Sequence, residues 1–121
     1  MDENDTLVVE GWDGVRKLKG TIAVMGSKND ALQALASSLL FRSPLKLTNV
    51  PEIEDIGKMS VLLANLGVVV TKNDKTLTLD SSGLKDSRLD SEIAKQMRAS
   101  IILTGPLLAR QGEAHFPHPG G

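Results

Sequence analysis

Val24-Met25-Gly26-Ser27-Lys28-Asn29-Asp30-Ala31-Leu32 decides the reading of this chain. Ahead of it, Thr21-Ile22-Ala23-Val24 is β-branched and reads as a strand. Behind it, Leu32, Leu35, Ala36, Leu39 and Leu40 recur at helical spacing. Gly26 falls in the turn between the two, where a glycine permits positive φ and a close approach of ligand to the main chain. A helix start leaves N–H groups unpaired at the positive end of its dipole, which favours a phosphate or carboxylate. Lys28 adds a full charge there and Asn29 a directional donor. Spacing alone favours a purely structural reading: Ser27, Asn29 or Asp30 caps the helix and Lys28 is solvated.

The rest of the chain alternates short strands and helices. Leu7–Glu10 and Val15–Lys19 flank the turn signal Gly11-Trp12-Asp13-Gly14, a hairpin-like start. A first helix is expected from Asp30 to Phe41, ended by Arg42-Ser43-Pro44. A strand from Leu45 to Val50 stops at Pro51. A second helix from Ile53 or Glu54 to Leu66 gathers Ile56, Met59, Leu62, Leu63 and Leu66 on one side, with Gly67 at its C-cap. Val68–Val70 and Thr76–Leu79 form a hairpin around Lys72-Asn73-Asp74-Lys75. A third helix is expected over about Ser91–Gln111, kinked or restarted near Gly105 because Pro106 interrupts it. Met97, Ile101, Leu103, Leu107 and Leu108 are its core positions, whereas Arg98 stands beside the small Ala99 and Ser100. A guanidinium suits phosphate oxygens there, although an arginine covering an apolar face with its stem gives the same pattern. Residues 21–80 thus spell βαβαββ, an α+β unit with helices on one face of a sheet.

Composition removes several function classes. Fourteen basic and fifteen acidic residues leave a net charge of −1, and two Phe, one Trp and no Tyr offer little to stack on bases, so nucleic acid is not an expected partner. The acidic start, Met1-Asp2-Glu3-Asn4-Asp5, is unlike a signal or transit peptide, no apolar run is long enough to span a bilayer, and a cytoplasmic location is expected. The absence of cysteine excludes a disulfide scaffold and thiol chemistry within the 121 residues. His115 and His118, three apart in a proline-broken segment with Glu113 as the neighbouring carboxylate, do not make a metal site.

Taken in order, Gly26-Ser27-Lys28-Asn29, Leu47-Thr48-Asn49-Val50-Pro51, Leu62-Leu63-Ala64-Asn65-Leu66-Gly67, Met97-Arg98-Ala99-Ser100-Ile101, Gly105-Pro106-Leu107-Leu108-Ala109-Arg110 and Pro119-Gly120-Gly121 resemble the UDP-N-acetylglucosamine enolpyruvyltransferases (1-carboxyvinyltransferases). The resemblance implies a piece of an inside-out α/β barrel built from βαβαββ units, incomplete here. Residues 1–20 would then belong to the second domain of the parent fold, and residues 21–121 would hold one unit and the start of the next. It implies that Lys28 and Asn29 contact phosphoenolpyruvate, that Arg98 contacts UDP-N-acetylglucosamine, and that no metal or organic cofactor takes part. The reaction implied is transfer of the enolpyruvyl group to the sugar 3-hydroxyl with release of phosphate, which commits the sugar to peptidoglycan and so bears on cell shape and division. In the family the Pro-Gly-Gly is followed by a loop cysteine or aspartate acting as general acid. No catalytic residue is therefore expected within the chain, which resembles an amino-terminal fragment, silent by itself and completed by the remainder of the parent enzyme. Departures from the family pattern are Asp30, where a small residue is usual, Ile102, and His115-Phe116-Pro117-His118. Two other classes of function fit the same residues: a non-catalytic phosphate or nucleotide-sugar binding module, and a subunit completed by a separate chain.

Overall fold

The computed structural model describes residues 6–11, 14 and 17–118. Its elements, in chain order, are α1 (Lys28–Ser37), a 3-10 turn (Ser38–Leu40), β1 (Leu45–Leu47), α2 (Glu54–Asn65), β2 (Val69–Asn73), β3 (Thr76–Asp80), α3 (Ser91–Ala94), a 3-10 segment (Arg98–Leu103) and α4 (Thr104–Gln111). The three strands form one antiparallel sheet in the order β1-β3-β2. Leu47 lies opposite Leu77, Leu45 opposite Leu79, and Val70 opposite Leu79 from the other side. Period-2 alternation thus puts Leu77 and Leu79 on the buried face of the central strand, and the helices cover that face.

The second helix matches its pattern closely: Ile56, Met59, Leu62, Leu63 and Leu66 are all buried. Its end is a Schellman motif. Gly67 adopts φ 104°, its N–H donates to the Ala64 carbonyl at 3.0 Å, and the Val68 N–H donates to the Leu63 carbonyl at 3.0 Å. A side chain at position 67 would also press on the Gly83 carbonyl oxygen, 2.5 Å from an added Cβ. The hairpin turn narrows to Asp74-Lys75, because Lys72 and Asn73 continue β2; Asp74 takes φ 49°, as tight hairpin turns require.

Several expectations are corrected. Thr21–Val24 is not a strand: the segment is exposed and pairs with nothing among the described residues, and extended backbone becomes a strand only where a neighbour takes its N–H and C=O groups. The described arrangement is therefore αβαββ, with the leading strand of the βαβαββ unit unformed. Leu7–Glu10 is likewise exposed and without regular structure, while Trp12, Asp13, Val15 and Arg16, the heart of the expected hairpin, lie outside the described residues. The first helix starts two residues earlier, at Lys28, and tightens to a 3-10 turn at Ser38, leaving Leu40 exposed. The strand expected over Leu45–Val50 is shortened to Leu45–Leu47, because Asn49 turns the chain with φ 55°.

The third helix is three pieces. Met97 is extended (φ −145°, ψ 125°) and separates α3 from the 3-10 segment, and α4 restarts at Thr104. Pro106 then falls in the first turn of α4, where a missing N–H forfeits no bond within the helix. Met97, Leu103 and Leu107 are buried as expected; Ile101 and Leu108 are not, because the break rotates them to the surface. Arg110, in the last turn of α4, fastens this region to the first helix, donating to the carbonyls of Leu39 (2.8 Å), Phe41 (2.9 Å) and Ser81 (3.4 Å). The cation closes the carbonyl end of the α1 region, where the helix dipole favours it. Ser81 adds a buried 2.6 Å bond from its hydroxyl to the Ser38 carbonyl.

Candidate functional site

The start of α1 is capped by Ser27, whose hydroxyl accepts from the Asp30 N–H at 3.3 Å while its carbonyl accepts from the Ala31 N–H at 3.0 Å. That assigns the cap to Ser27 rather than Asn29 or Asp30. The N–H groups of Lys28 and Asn29 have no acceptor among the described residues and face outward at the positive end of the helix. Asn29 is exposed beside them.

Gly26 has a different role from the one expected. It is not at positive φ, and what approaches it is not a ligand but the chain itself: an added Cβ would overlap the Asn49 carbonyl oxygen and lie 3.4 Å from Pro51 Cδ. Only glycine lets the loop after β1 rest against the entry to α1. That loop is held by the left-handed Asn49, by the Val50 N–H donating to the Lys75 carbonyl at 2.9 Å, and by the buried Pro51. Gly26, Ser27, Asp30, Ala31 and Asn49 thereby line a hollow of about 230 Å³ at the head of the helix.

Lys28 is not simply solvated. Its Nζ lies 2.9 Å from Oδ2 of Asp55, a residue 27 positions away in the first turn of α2. The packing of α1 on α2 brings the two helix starts together. No sequence signal singled out Asp55, since an acidic pair such as Glu54-Asp55 at a helix start is ordinarily explained by the dipole alone.

Arg98 opens the 3-10 segment that follows the extended Met97, and its side chain is exposed. The small neighbours do not leave open space: Ser100 is buried, with its hydroxyl on the Ala94 carbonyl at 3.2 Å, and Ala99 packs on the core. The segment carrying Arg98 packs on α1, so the elements bearing Lys28, Asn29 and Arg98 are neighbours.

A larger cleft of about 400 Å³ shares the Val50 wall and is lined by Pro51, Ile53, Ile56, Val70 and Leu77. Its rim cation, Lys72, is bonded to Glu52 at 2.6 Å, and that bond with the ammonium charge holds the Glu52 carboxyl below its ordinary value. Its apolar lining suits an anion less well than the unpaired N–H groups at the head of α1. Elsewhere, His115 pairs with Glu113 at 3.5 Å, Glu113 also accepts from Ser87, and the His115 main chain bridges to the segment at Arg88. These contacts tie 113–115 to 87–89.

Residues 12–120 match the model of the EPSP synthase (3-phosphoshikimate 1-carboxyvinyltransferase) family. The chain is 44% identical over 108 residues to the UDP-N-acetylglucosamine 1-carboxyvinyltransferase of Prochlorococcus marinus (strain MIT 9301), covering 89% of this chain and 24% of that protein. It is 41% identical over 117 residues to the protein of the same name from Desulfosudis oleivorans, covering 97% of this chain and 27% of that one. It thus spans about a quarter of the length of these relatives. Among solved structures, the enolpyruvyl transferase NikO from Streptomyces tendae superposes with a TM-score of 0.71 over 82% of this chain and 23% of its own, at 21% identity, a likeness of fold.

Proposed function

Because the chain belongs to the EPSP synthase (3-phosphoshikimate 1-carboxyvinyltransferase) family, we propose that it is the part of a UDP-N-acetylglucosamine 1-carboxyvinyltransferase that holds phosphoenolpyruvate on Lys28 and Asn29 and the UDP-sugar on Arg98. The observation that carries this reading is the start of α1, where the N–H groups of Lys28 and Asn29 have no acceptor among the described residues and both residues are exposed beside a glycine-dependent turn. Names shared with relatives above 40% identity support the choice of the amino sugar as acceptor.

In the reaction, the sugar 3-hydroxyl gives up its proton and adds to C2 of phosphoenolpyruvate while a proton is delivered to C3; a proton then leaves C3 as the C2–O bond to phosphate breaks, forming the enol ether and releasing phosphate. Lys28 and the α1 N–H groups hold the phosphate and stabilise the charge it carries away. Arg98 offers a planar fork to the diphosphate. The general acid is assigned to the loop that follows Gly121 in the family, and residues 1–20 to the second domain. The exposed Leu7, Val8, Val9 and Leu18 are consistent with a segment whose packing partner lies outside this unit. The whole enzyme serves peptidoglycan precursor synthesis in the cytoplasm, and through the cell wall it bears on cell shape and division.

Ligand-by-ligand affinities test the assignment. Lys28→Ala is expected to weaken phosphoenolpyruvate binding more than UDP-N-acetylglucosamine binding, and Arg98→Ala to do the reverse, both measured by calorimetry or NMR titration. The opposite order in either variant contradicts it.

A further inference from the structure

We propose that Asp55 is the positioning residue for Lys28, holding its ammonium over the head of α1 so that the anion meets a pre-aimed cation. The inference rests on the reading of Lys28 as a phosphoenolpyruvate contact and extends it to a residue on another helix. Lys28 is half exposed, with a side-chain accessibility of 52%, and a lysine so placed ordinarily samples many rotamers. Here the 2.9 Å contact to Asp55 Oδ2 selects among them. Asp55 is well placed to do this, since it sits in the first turn of α2, whose dipole stabilises its charge, and it is less exposed than the lysine, at 34%. An ammonium carries three donors, so one N–H on Asp55 leaves two for an incoming phosphate. As an exposed ion pair it contributes little to stability, so its consequence lies in where the ammonium points.

The competing role for a carboxylate at this distance is to repel the anion and occupy the lysine. The two roles predict opposite signs. If Asp55 positions, Asp55→Ala weakens phosphoenolpyruvate binding about fivefold by freeing the lysine rotamers, and Asp55→Asn, whose amide oxygen still accepts from Nζ, restores binding to wild type or tighter. If Asp55 only competes, both variants bind more tightly than wild type.

The experiment is an NMR titration of the 121-residue chain with phosphoenolpyruvate. It follows the Lys28 and Asn29 amides in wild type, Lys28→Ala, Asp55→Ala and Asp55→Asn, with the amide spectrum of each variant confirming its fold. In the same samples, the Lys28 ¹⁵Nζ relaxation should show faster side-chain motion in Asp55→Ala than in wild type. Weakening by Asp55→Ala, rescue by Asp55→Asn and loosened Nζ together support the proposal. Asp55→Ala binding as tightly as wild type or tighter, while Lys28→Ala binds poorly, overturns the Asp55 assignment alone. Wild-type binding that does not depend on Lys28, or no response of its amides, overturns the anion site and the positioning role with it.

Discussion

Gly26→Ala adds one methyl group at the entry to α1, and the structure gives that methyl nowhere to go. The added Cβ overlaps the Asn49 carbonyl oxygen, with the Asn49 carbonyl carbon at 3.2 Å and Pro51 Cδ at 3.4 Å. The obstacle is backbone rather than the flexible end of a side chain. It cannot retreat cheaply either, because Asn49 is already at φ 55° and Val50 is bonded to Lys75. Relief therefore requires α1's first turn to move away from the loop, at a cost of about 2–3 kcal/mol, the upper part of the range for inserting a methylene into a filled site. Urea unfolding should show a lower midpoint with an unchanged slope, and the melting temperature should fall by roughly 10 °C. The same displacement carries Ser27, Lys28 and Asn29 with it, so anion binding should weaken beyond what the stability loss explains. Gly57→Ala is the matched control: Gly57 lies in α2 with nothing within 4 Å of its added Cβ, and the substitution should stabilise by about 0.5–1 kcal/mol through helix propensity. If Gly26→Ala unfolds within about 0.5 kcal/mol of wild type, the close approach is not what requires glycine there.

Other substitutions follow the same reasoning. Gly67→Ala should destabilise by about 1–3 kcal/mol, combining the left-handed backbone with the press on the Gly83 carbonyl, and denaturant unfolding would read it. Arg110→Ala removes the donor to three carbonyls and should cost about 1–3 kcal/mol, with hydrogen exchange rising first around Leu39–Phe41 and Ser81. Thr104→Val should be neutral or stabilising by about 1 kcal/mol, because the buried Thr104 hydroxyl has no partner among the described residues. The bond and charge of Lys72 lower the Glu52 carboxyl from its ordinary value, so its small contribution is present above the ordinary carboxylate range and is lost as pH falls through the lowered value; Glu52→Gln should flatten that part of the stability–pH curve.

Much of this was legible in residue order, and what was not has a common physical cause. Periodicity located α2 and its apolar face because Ile56 through Leu66 answer to one local repeat, and Gly67 marked the end through its own backbone freedom. The two-piece ending of the expected third helix was legible in Pro106, but not the extended Met97 or the outward Ile101 and Leu108, which depend on how the segment seats against α1. At the site, sequence placed Lys28 close to a helix start, which lies two residues earlier than expected. The partner of Lys28 was hidden because the contact spans 27 residues and joins two helix ends. The reason for Gly26 was hidden likewise, since the atom that excludes a side chain belongs to a loop more than twenty residues on. Thr21–Val24 shows the converse: strand propensity is local, but a strand is a pairing, and this segment has no partner among the described residues.

The role proposed for the chain is to bind phosphoenolpyruvate as part of a UDP-N-acetylglucosamine 1-carboxyvinyltransferase. It is tested most directly by grafting the chain in place of the matching quarter of the Desulfosudis oleivorans relative and measuring phosphate release from phosphoenolpyruvate. Release is expected to depend on UDP-N-acetylglucosamine and to be lost in the folded Lys28→Ala chimera. A well-folded chimera that is inactive, or one whose turnover survives Lys28→Ala, would contradict it.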